Sequence, residues 1–301
     1  MDNMVEFINS NNIGRYLENV SMAKYTTYKT GGIAKLLVYP KDEKKLLLLL
    51  RELKRLNLKY KILGNGSNTL FSDKVFNGVI IKLDSLDKIV TYRNIIKAGS
   101  GVNLIKLSNF AIKKSLSGLE FASGIPGTVG GAVFMNAGAY KSDMGYVVKS
   151  IRVITPNLEI ITMSNRELDF HYRSSFLQKN PGYICLEATF QLKKGNKNEM
   201  LELVKERKER RMATQPLDYP SAGSVFRNPE NLFAGKIIED LGYKGLSKGG
   251  AKISEKHANF IINYNNATSK DIKDLIDFIK TEVKEKCNID LKVEQEFVNW
   301  E

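Results

Sequence analysis

Six glycines lie in one segment of the chain, residues 118–143, whose other residues are mostly small. Glycine has no Cβ, so the backbone can reach positive φ and another group can approach it closely. Pro126 stiffens the middle of the segment because proline fixes φ and removes one N–H. A loop with so few side chains offers backbone N–H groups to a ligand, and phosphate is the usual ligand. The alternative is a tight connection that binds nothing.

A second glycine loop, Leu-Gly-Asn-Gly-Ser-Asn, lies upstream at residues 63–68. It begins like a dinucleotide-binding fingerprint, but Thr69 stands where the third glycine would fall. The chain has no Gly-x-x-x-x-Gly-Lys-Ser/Thr motif, which excludes a P-loop. Two loops of the phosphate-binding type predict one large ligand with a pyrophosphate in its middle.

The two loops resemble the FAD-binding loops of the UDP-N-acetylenolpyruvoylglucosamine reductase (MurB) family. These flavoenzymes complete UDP-N-acetylmuramate in bacterial peptidoglycan synthesis. The resemblance extends over nearly the whole chain and is specific as a combination. No insertion follows the strand near Leu192, which is typical of the shorter, type II branch. The matching segments, in chain order, are residues 28–32, 63–68, 124–132, 136–140, 172–175, 222–229 and 291–294.

The resemblance implies an α/β (α+β) fold. A two-part FAD-binding domain of the vanillyl-alcohol-oxidase (PCMH) type would be followed by a C-terminal α/β substrate-binding domain. The FAD would be non-covalent, since neither glycine loop contains a histidine, and NADPH would be the reductant. The family often has arginine where Lys29 stands. The positions that match FAD contacts are Lys29, Thr30, Gly31, Gly32, Leu63, Gly64, Asn65, Gly66, Ser67, Asn68, Ser123, Gly124, Ile125, Pro126, Gly127, Thr128, Gly130, Gly131, Ala132 and Gly138.

The resemblance also implies a two-step reaction. NADPH reduces FAD, and the enolpyruvyl ether of UDP-N-acetylglucosamine then takes the hydride at its methylene carbon while negative charge builds at the neighbouring carbon. Arg173 would hold the carboxylate, because a guanidinium fork suits that group. Ser224 would donate the proton to carbon. From the residues alone, Arg173 is equally well a surface side chain, and Ser224 is better explained as a turn serine.

Glu294 matches the C-terminal glutamate of the family, which would hydrogen-bond the developing enol. The family has valine next, whereas this chain has Gln295, and Asn299 stands where glycine is frequent. Glu296 would share a strand face with Glu294, so the choice between them stays open, with Glu294 favoured. Candidate contacts to the UDP-sugar or the nicotinamide nucleotide are Asn136, Tyr140, Arg227, Asn228, His257 and Asn259.

Composition narrows the class of protein. The chain has 301 residues, 43% of them hydrophobic, which indicates a sizeable core, and a formal net charge of +13, which favours anionic partners. Two cysteines and two histidines argue against a disulfide framework or a metal site. The N-terminus lacks the pattern of a signal peptide, so we expect a cytoplasmic protein. We also expect a monomer that acts on small molecules and neither binds nucleic acid nor inserts into a membrane.

Two rival functions remain open at this point. One is a flavin oxidase of the same fold that acts on another alcohol or sugar. The other is a basic nucleic-acid-binding protein, although no recognised motif supports it and acidic residues lie among the basic ones.

The sequence also predicts the elements that carry these residues. We expect a helical lead-in at residues 1–20, an FAD-binding domain in two subdomains at 21–195 and a substrate-binding domain at 196–301. Amphipathic helices are predicted at 42–56 and 103–115, and a capping box opens another helix at Thr268. Predicted strands include 258–263 and 289–298.

Overall fold

The computed structural model describes residues 1–300 of the chain. None of the helices in this part is both long and apolar enough to cross a bilayer. The helices are α1 Asp2–Ser10, α2 Glu43–Arg55, α3 Leu104–Lys113, α4 Val129–Met135, α5 Met144–Val147, α6 Phe176–Lys179, α7 Lys197–Thr214, α8 Ala234–Asp240 and α9 Ser269–Cys287. The strands are β1 Gly14–Ser21, β2 Ile33–Pro40, β3 Tyr60–Ile62, β4 Thr69–Phe71, β5 Phe76–Ile81, β6 Ile89–Tyr92, β7 Ile95–Gly99, β8 Leu116–Ser117, β9 Gly138–Ala139, β10 Ser142–Asp143, β11 Val148–Ile154, β12 Ile160–Ser164, β13 Ile184–Gln191, β14 Lys193–Lys194, β15 Ser247–Lys248, β16 Ala251–Ile253, β17 Ile261–Asn263 and β18 Glu296–Val298.

The chain forms two compact units. The first unit comprises Met1–Glu18, Lys35–Asn65 and Asn77–Lys208, and the second comprises Asn19–Ala34, Gly66–Phe76 and the residues from Glu209 onward. These units differ from a single boundary near residue 195, because two segments from the N-terminal part of the chain belong to the second unit. The reason lies in long-range pairing, since β4 runs parallel to β18 in the second unit.

The first unit contains a five-stranded antiparallel sheet in the order β12-β11-β13-β7-β6. Its register pairs Ile151 of β11 with Ala188 of β13. Helix α3 buries Leu104, Leu107 and Ala111 in an apolar core that also contains Ile151 and Ala188 of this sheet. The helical spacing of these three residues predicts the helix, and the structure confirms it.

A four-stranded sheet in the order β1-β2-β5-β3 lies mainly in the first unit, with β3 and β5 parallel. Helix α2 buries Leu46, Leu49, Leu50 and Leu53 in the core of this layer. Burial of one such leucine stabilises the fold by roughly 1.5–3 kcal/mol. Asp42 caps the helix by accepting a hydrogen bond from the Lys45 N–H over 2.9 Å. The predicted helix at 42–56 is therefore confirmed.

The second unit contains the antiparallel sheet β15-β16-β17 and the long helix α9. Thr268 and Asp271 form the predicted capping box at the start of α9. The buried face of this helix repeats every three or four residues and consists of Ile272, Leu275, Ile276, Ile279 and Val283.

Three predicted elements are wrong in extent. The lead-in at residues 1–20 is helical only over Asp2–Ser10, because Gly14–Ser21 joins the sheet beside β2. The strand at 258–263 is confined to Ile261–Asn263, since a turn precedes it in which the Phe260 N–H donates to His257 O. The strand at 289–298 is regular only at Glu296–Val298, where β4 supplies a partner.

Candidate functional site

Residues 63–65 of the upstream glycine loop lie beside the second glycine loop in the first unit. Asn65 Nδ2 donates a hydrogen bond to Pro126 O over 2.9 Å. A Cβ on Gly64 would lie 2.7 Å from Thr128 Oγ1, so only glycine allows this approach. We call residues 63–65 together with residues 124–132 the glycine cradle.

Lys82 supports the cradle from behind. It follows β5, and its Nζ donates to Gly64 O over 2.6 Å. The side chain is largely buried and also forms an ion pair with Asp84 over 3.4 Å. Lys82 is not among the residues predicted from the sequence. The available signal was a lysine that directly follows the apolar run of β5.

Gly130 and Gly131 are adjacent at the start of α4, but packing within the protein requires a glycine at only one of these positions. A Cβ on Gly130 would lie 2.9 Å from Ser100 Cβ, so this glycine lets the helix pack against the end of β7. Gly131 is exposed, and a Cβ there would meet only Thr128 Oγ1, at 3.5 Å. The protein's own packing therefore explains Gly130 but does not explain Gly131.

The cradle fits the diphosphate of a dinucleotide. Its exposed residue Gly131 has no side chain, so a ligand can closely approach the backbone there. Ser100, whose Cβ packs against Gly130, is 3% exposed, and its buried hydroxyl has no hydrogen-bond partner within residues 1–300. Phosphate oxygens accept hydrogen bonds from backbone N–H groups and hydroxyls. The residues present thus suit FAD.

Of the predicted FAD positions outside the cradle, Ser123 and Gly138 lie in the first unit, whereas residues 29–32 and 66–68 lie in the second. A Cβ on Gly66 would lie 2.2 Å from Tyr25 O, and one on Gly32 would lie 2.3 Å from Lys74 O. Both glycines are therefore needed for backbone packing, whatever else they contact. The Thr30 hydroxyl is buried and has no partner in the described part of the chain.

Arg173 lies in the first unit at a tight turn. His171 and Ser174 exchange two backbone hydrogen bonds of 3.0 Å across it, and Arg173 has φ +53°. Its Nη2 donates to Gly138 O over 2.7 Å. Guanidinium carries five N–H donors, and one of them holds the side chain against the Gly138 backbone.

Asn136 holds the turn that carries Arg173. This residue is 1% exposed, its Nδ2 donates to His171 O over 2.8 Å, and its Oδ1 accepts from the Gly145 N–H over 2.9 Å. Both ends of the amide are used within the protein. The arrangement favours a positioning role over the substrate contact that the sequence predicts.

Tyr140 packs against α7 within the first unit. Its hydroxyl donates to Arg207 O over 3.1 Å, and the Arg207 guanidinium carbon lies 4.5 Å from the ring centre. This cation–π contact places a positive charge beside the ring, which is half-buried.

The second unit brings Ser224 and Glu294 onto neighbouring backbone segments. The Glu294 N–H donates to Val225 O over 2.8 Å, and Phe226 forms a bridge with Val293. Asn68 fixes the other side, because its Nδ2 donates to Glu294 O over 3.1 Å. Two catalytic candidates far apart in sequence are thus adjacent in one unit.

Asn259 clamps the backbone that follows Ser224. Its Oδ1 accepts from the Phe226 N–H over 2.9 Å, and its Nδ2 donates to Phe226 O over 2.8 Å. The backbone O of Asn259 also accepts from the Val225 N–H over 2.9 Å. The amide of Asn259 is therefore engaged, like that of Asn136.

His257 orients Asn259. Its Nδ1 accepts from the Asn259 N–H over 3.2 Å, which requires an unprotonated nitrogen. Burial lowers the pKa of His257, so the ring is neutral near pH 7. In the same unit Asn228 Oδ1 accepts from the Ala234 N–H at the start of α8, over 3.1 Å.

Two models of known protein families match separate parts of the chain. A family model for an FAD binding domain matches residues 34–164. A second model, for the C-terminal domain of UDP-N-acetylenolpyruvoylglucosamine reductase, matches residues 215–298. These two matches, together with a similar crystal structure from Thermus caldophilus, confirm the predicted fold class, an FAD-binding domain followed by a C-terminal substrate-binding domain.

Relatives match over almost the whole chain. The UDP-N-acetylenolpyruvoylglucosamine reductase of Anoxybacillus flavithermus is 44% identical over 99% of both chains. That of Clostridium novyi is 46% identical over 94% of this chain and 92% of its own. The crystal structure of UDP-N-acetylenolpyruvylglucosamine reductase (MurB) from Thermus caldophilus superposes with a TM-score of 0.80 at 33% identity, covering 94% of this chain and 98% of that one. The chain therefore belongs to the UDP-N-acetylenolpyruvoylglucosamine reductase family.

Proposed function

We infer that this chain uses NADPH and FAD to reduce UDP-N-acetyl-3-O-(1-carboxyvinyl)glucosamine to UDP-N-acetylmuramate in peptidoglycan biosynthesis. The observation that carries this inference is the 44% identity over 99% of the chain to a reductase of that name. The match of residues 215–298 to the reductase's own C-terminal domain speaks against a flavin oxidase that acts on another alcohol.

FAD, when bound, carries hydride from NADPH to the methylene carbon of the enolpyruvyl group. The glycine cradle would hold its pyrophosphate, and the Lys29–Gly32 segment and residues 66–68 would provide further contacts. The fit of the cradle rests on the bare exposed face at Gly131 and on the unpartnered Ser100 hydroxyl.

Arg173 would bind the carboxylate of the enolpyruvyl group. Charge on that carboxylate and on the adjacent carbon grows in the transition state, and a fixed guanidinium stabilises it without reorganisation. The turn at His171–Ser174 and the bond to Gly138 O hold the guanidinium in place. Tyr140, Arg227 and Asn228 would contact the UDP-sugar or the nicotinamide nucleotide.

Ser224 would donate the proton to the carbon next to the carboxylate. A hydroxyl is a weak acid, so it can serve only a strongly basic, carbanion-like centre. Glu294, on the neighbouring segment, would hydrogen-bond the developing enol. The bond of its N–H to Val225 O favours Glu294 over Glu296, because it ties Glu294 directly to the Ser224 segment.

We place the protein in the cytoplasm as a monomer that acts on small molecules and not on nucleic acid. The FAD-binding part would extend over residues 21–195 and the substrate-binding part over 196–301, with a lead-in at 1–20. Cytoplasmic location agrees with the nucleotide substrates that this reaction requires.

We expect the purified protein to be yellow and to lose its flavin on acid precipitation. Neither glycine loop contains a histidine to which flavin could be linked. The flavin absorbance should appear in the supernatant and co-migrate with FAD. Anaerobic NADPH should bleach the holoenzyme, and the enolpyruvyl substrate should restore the colour. Flavin that stays on the precipitated chain would refute non-covalent binding, and failure of the substrate to restore the colour would refute the reaction.

Replacing Arg173 with lysine should slow the step with the enolpyruvyl substrate by about 10-fold or more, because an ammonium cannot form a bidentate contact. Stopped-flow absorbance measures the rate at which this substrate reoxidises the reduced holoenzyme. Arg166→Lys, at an exposed position upstream, is the matched control and should be silent. An unchanged rate in Arg173→Lys would contradict the carboxylate role.

A further inference from the structure

A buried amide links three segments of the second unit that carry proposed site residues. Gln295 is 5% exposed and lies between Glu294 and Glu296. Its Nε2 donates to Ala222 O over 3.2 Å and lies 2.9 Å from the Tyr28 hydroxyl. The Tyr28 hydroxyl also lies 3.1 Å from Gln295 Oε1. A carbonyl oxygen can only accept, so the contact with Ala222 O fixes which end of the amide is the nitrogen.

The Ser224 loop needs such a restraint. Gly223 separates Ala222 from Ser224, has φ +73°, and lies in open space, since a Cβ added there would meet no atom within 4 Å. The backbone after Ser224 is held by Asn259, which bonds to Val225 and Phe226. On the other side, Gln295 holds Ala222 through its carbonyl oxygen. Ser224 thus lies between two amide clamps.

Tyr28 makes the Gln295 clamp rigid. The ring is fully buried, and burial raises the pKa of its hydroxyl, which therefore stays neutral and can both donate and accept. The Tyr28 backbone is fixed as well, since Asn263 Nδ2 donates to its carbonyl over 2.9 Å. The amide of Gln295 cannot rotate without leaving buried polar groups unpaired, which is costly.

We propose that Gln295 is a positioning residue for the proton donor: through Ala222 O it sets where the Ser224 hydroxyl lies relative to the segment of Glu294. The proposal rests on the proposed role of Ser224. Gln295 touches neither substrate nor cofactor in this scheme, and it acts on protonation alone.

The test compares Gln295→Met with the double variant Tyr28→Phe/Gln295→Met. The single variant removes the amide partner of both the buried Tyr28 hydroxyl and Ala222 O, so the apoprotein should melt at a lower temperature. The double variant also removes the Tyr28 hydroxyl, so that only the bond to Ala222 O stays unreplaced, and it should recover part of the loss. In both variants the holoenzyme should be reoxidised by the enolpyruvyl substrate about 10-fold more slowly, while reduction by NADPH changes less than about 2-fold. Recovery of the reoxidation rate together with the melting temperature would overturn the proposal.

A second comparison asks whether Gln295 acts through Ser224. In a Ser224→Ala background, Gln295→Met should slow reoxidation by less than about 2-fold more, because the donor is already absent. Slowing as large as in the wild-type background would overturn the proposal. Val283→Ala, in the core face of α9, is the control for lost stability and should leave both steps unchanged. If the wild-type holoenzyme is not reoxidised by the substrate at all, the proposed function itself fails, which is a distinct result.

Discussion

Ser224→Ala is expected to bind FAD, to be reduced by NADPH at nearly the normal rate, and to be reoxidised by the enolpyruvyl substrate about 10²-fold more slowly or worse. A lost general acid commonly costs this much. The two steps separate because only the second needs a proton delivered to carbon. The backbone around Ser224 should be unaffected, since Val225 and Phe226 are held by Asn259.

Anaerobic stopped-flow measurement of both steps provides the check. Ser224→Cys is the informative companion, because a thiol can still donate a proton from a displaced position, and it should be slow but less so than alanine. Equal slowing of the two steps would assign Ser224 a structural role. An unimpaired second step would transfer the donor role to Glu294 or to water.

Local pattern predicts the helices well. Four leucines at helical spacing in α2 and the capping box at Thr268 are signals contained within a few residues of sequence. The edges of strands are less local. Residues 289–298 have a composition typical of a strand, but only Glu296–Val298 pairs with a neighbouring strand, which is β4. Whether an extended segment is counted as a strand depends on what lies beside it.

The division of the chain into two units also depends on long-range contacts that local sequence does not predict. The segments Asn19–Ala34 and Gly66–Phe76 belong to the second unit although they precede most of the first in sequence. Tyr28, for example, is buried in the core that α9 helps to form. The local composition of these segments does not predict that they pack against residues from the end of the chain.

Amide side chains illustrate why site residues are only partly predictable. A motif places Asn136 and Asn259 near the chemistry, and an exposed amide would contact substrate. The fold instead bonds both amides to backbone groups, at His171 and Phe226. An amide offers two donors and an acceptor to whatever is nearest, so its partner is a property of the tertiary structure.

Gly131→Val is expected to leave the fold intact and to weaken FAD binding by about 10²-fold, or about 2.7 kcal/mol. A Cβ at this exposed helical position would meet no other group of the protein closer than Thr128 Oγ1, at 3.5 Å. Glycine inside a helix costs roughly 0.5–1 kcal/mol relative to alanine, and β-branched valine recovers part of that cost. The apoprotein should therefore melt at an unchanged or slightly higher temperature.

The loss of affinity has a different origin. In the glycine cradle, a valine at residue 131 would project into the space that the pyrophosphate needs for close contact with backbone N–H groups. Titration of apoprotein with FAD, followed by flavin fluorescence, measures the affinity, and differential scanning calorimetry measures the stability. Asn109→Val, at an exposed position of α3, controls for a β-branched residue on a helix surface and should keep normal affinity. Normal FAD affinity in Gly131→Val would remove residue 131 from the cofactor site, whereas a lower melting temperature of the apoprotein would show that Gly131 is required for folding and not for the ligand.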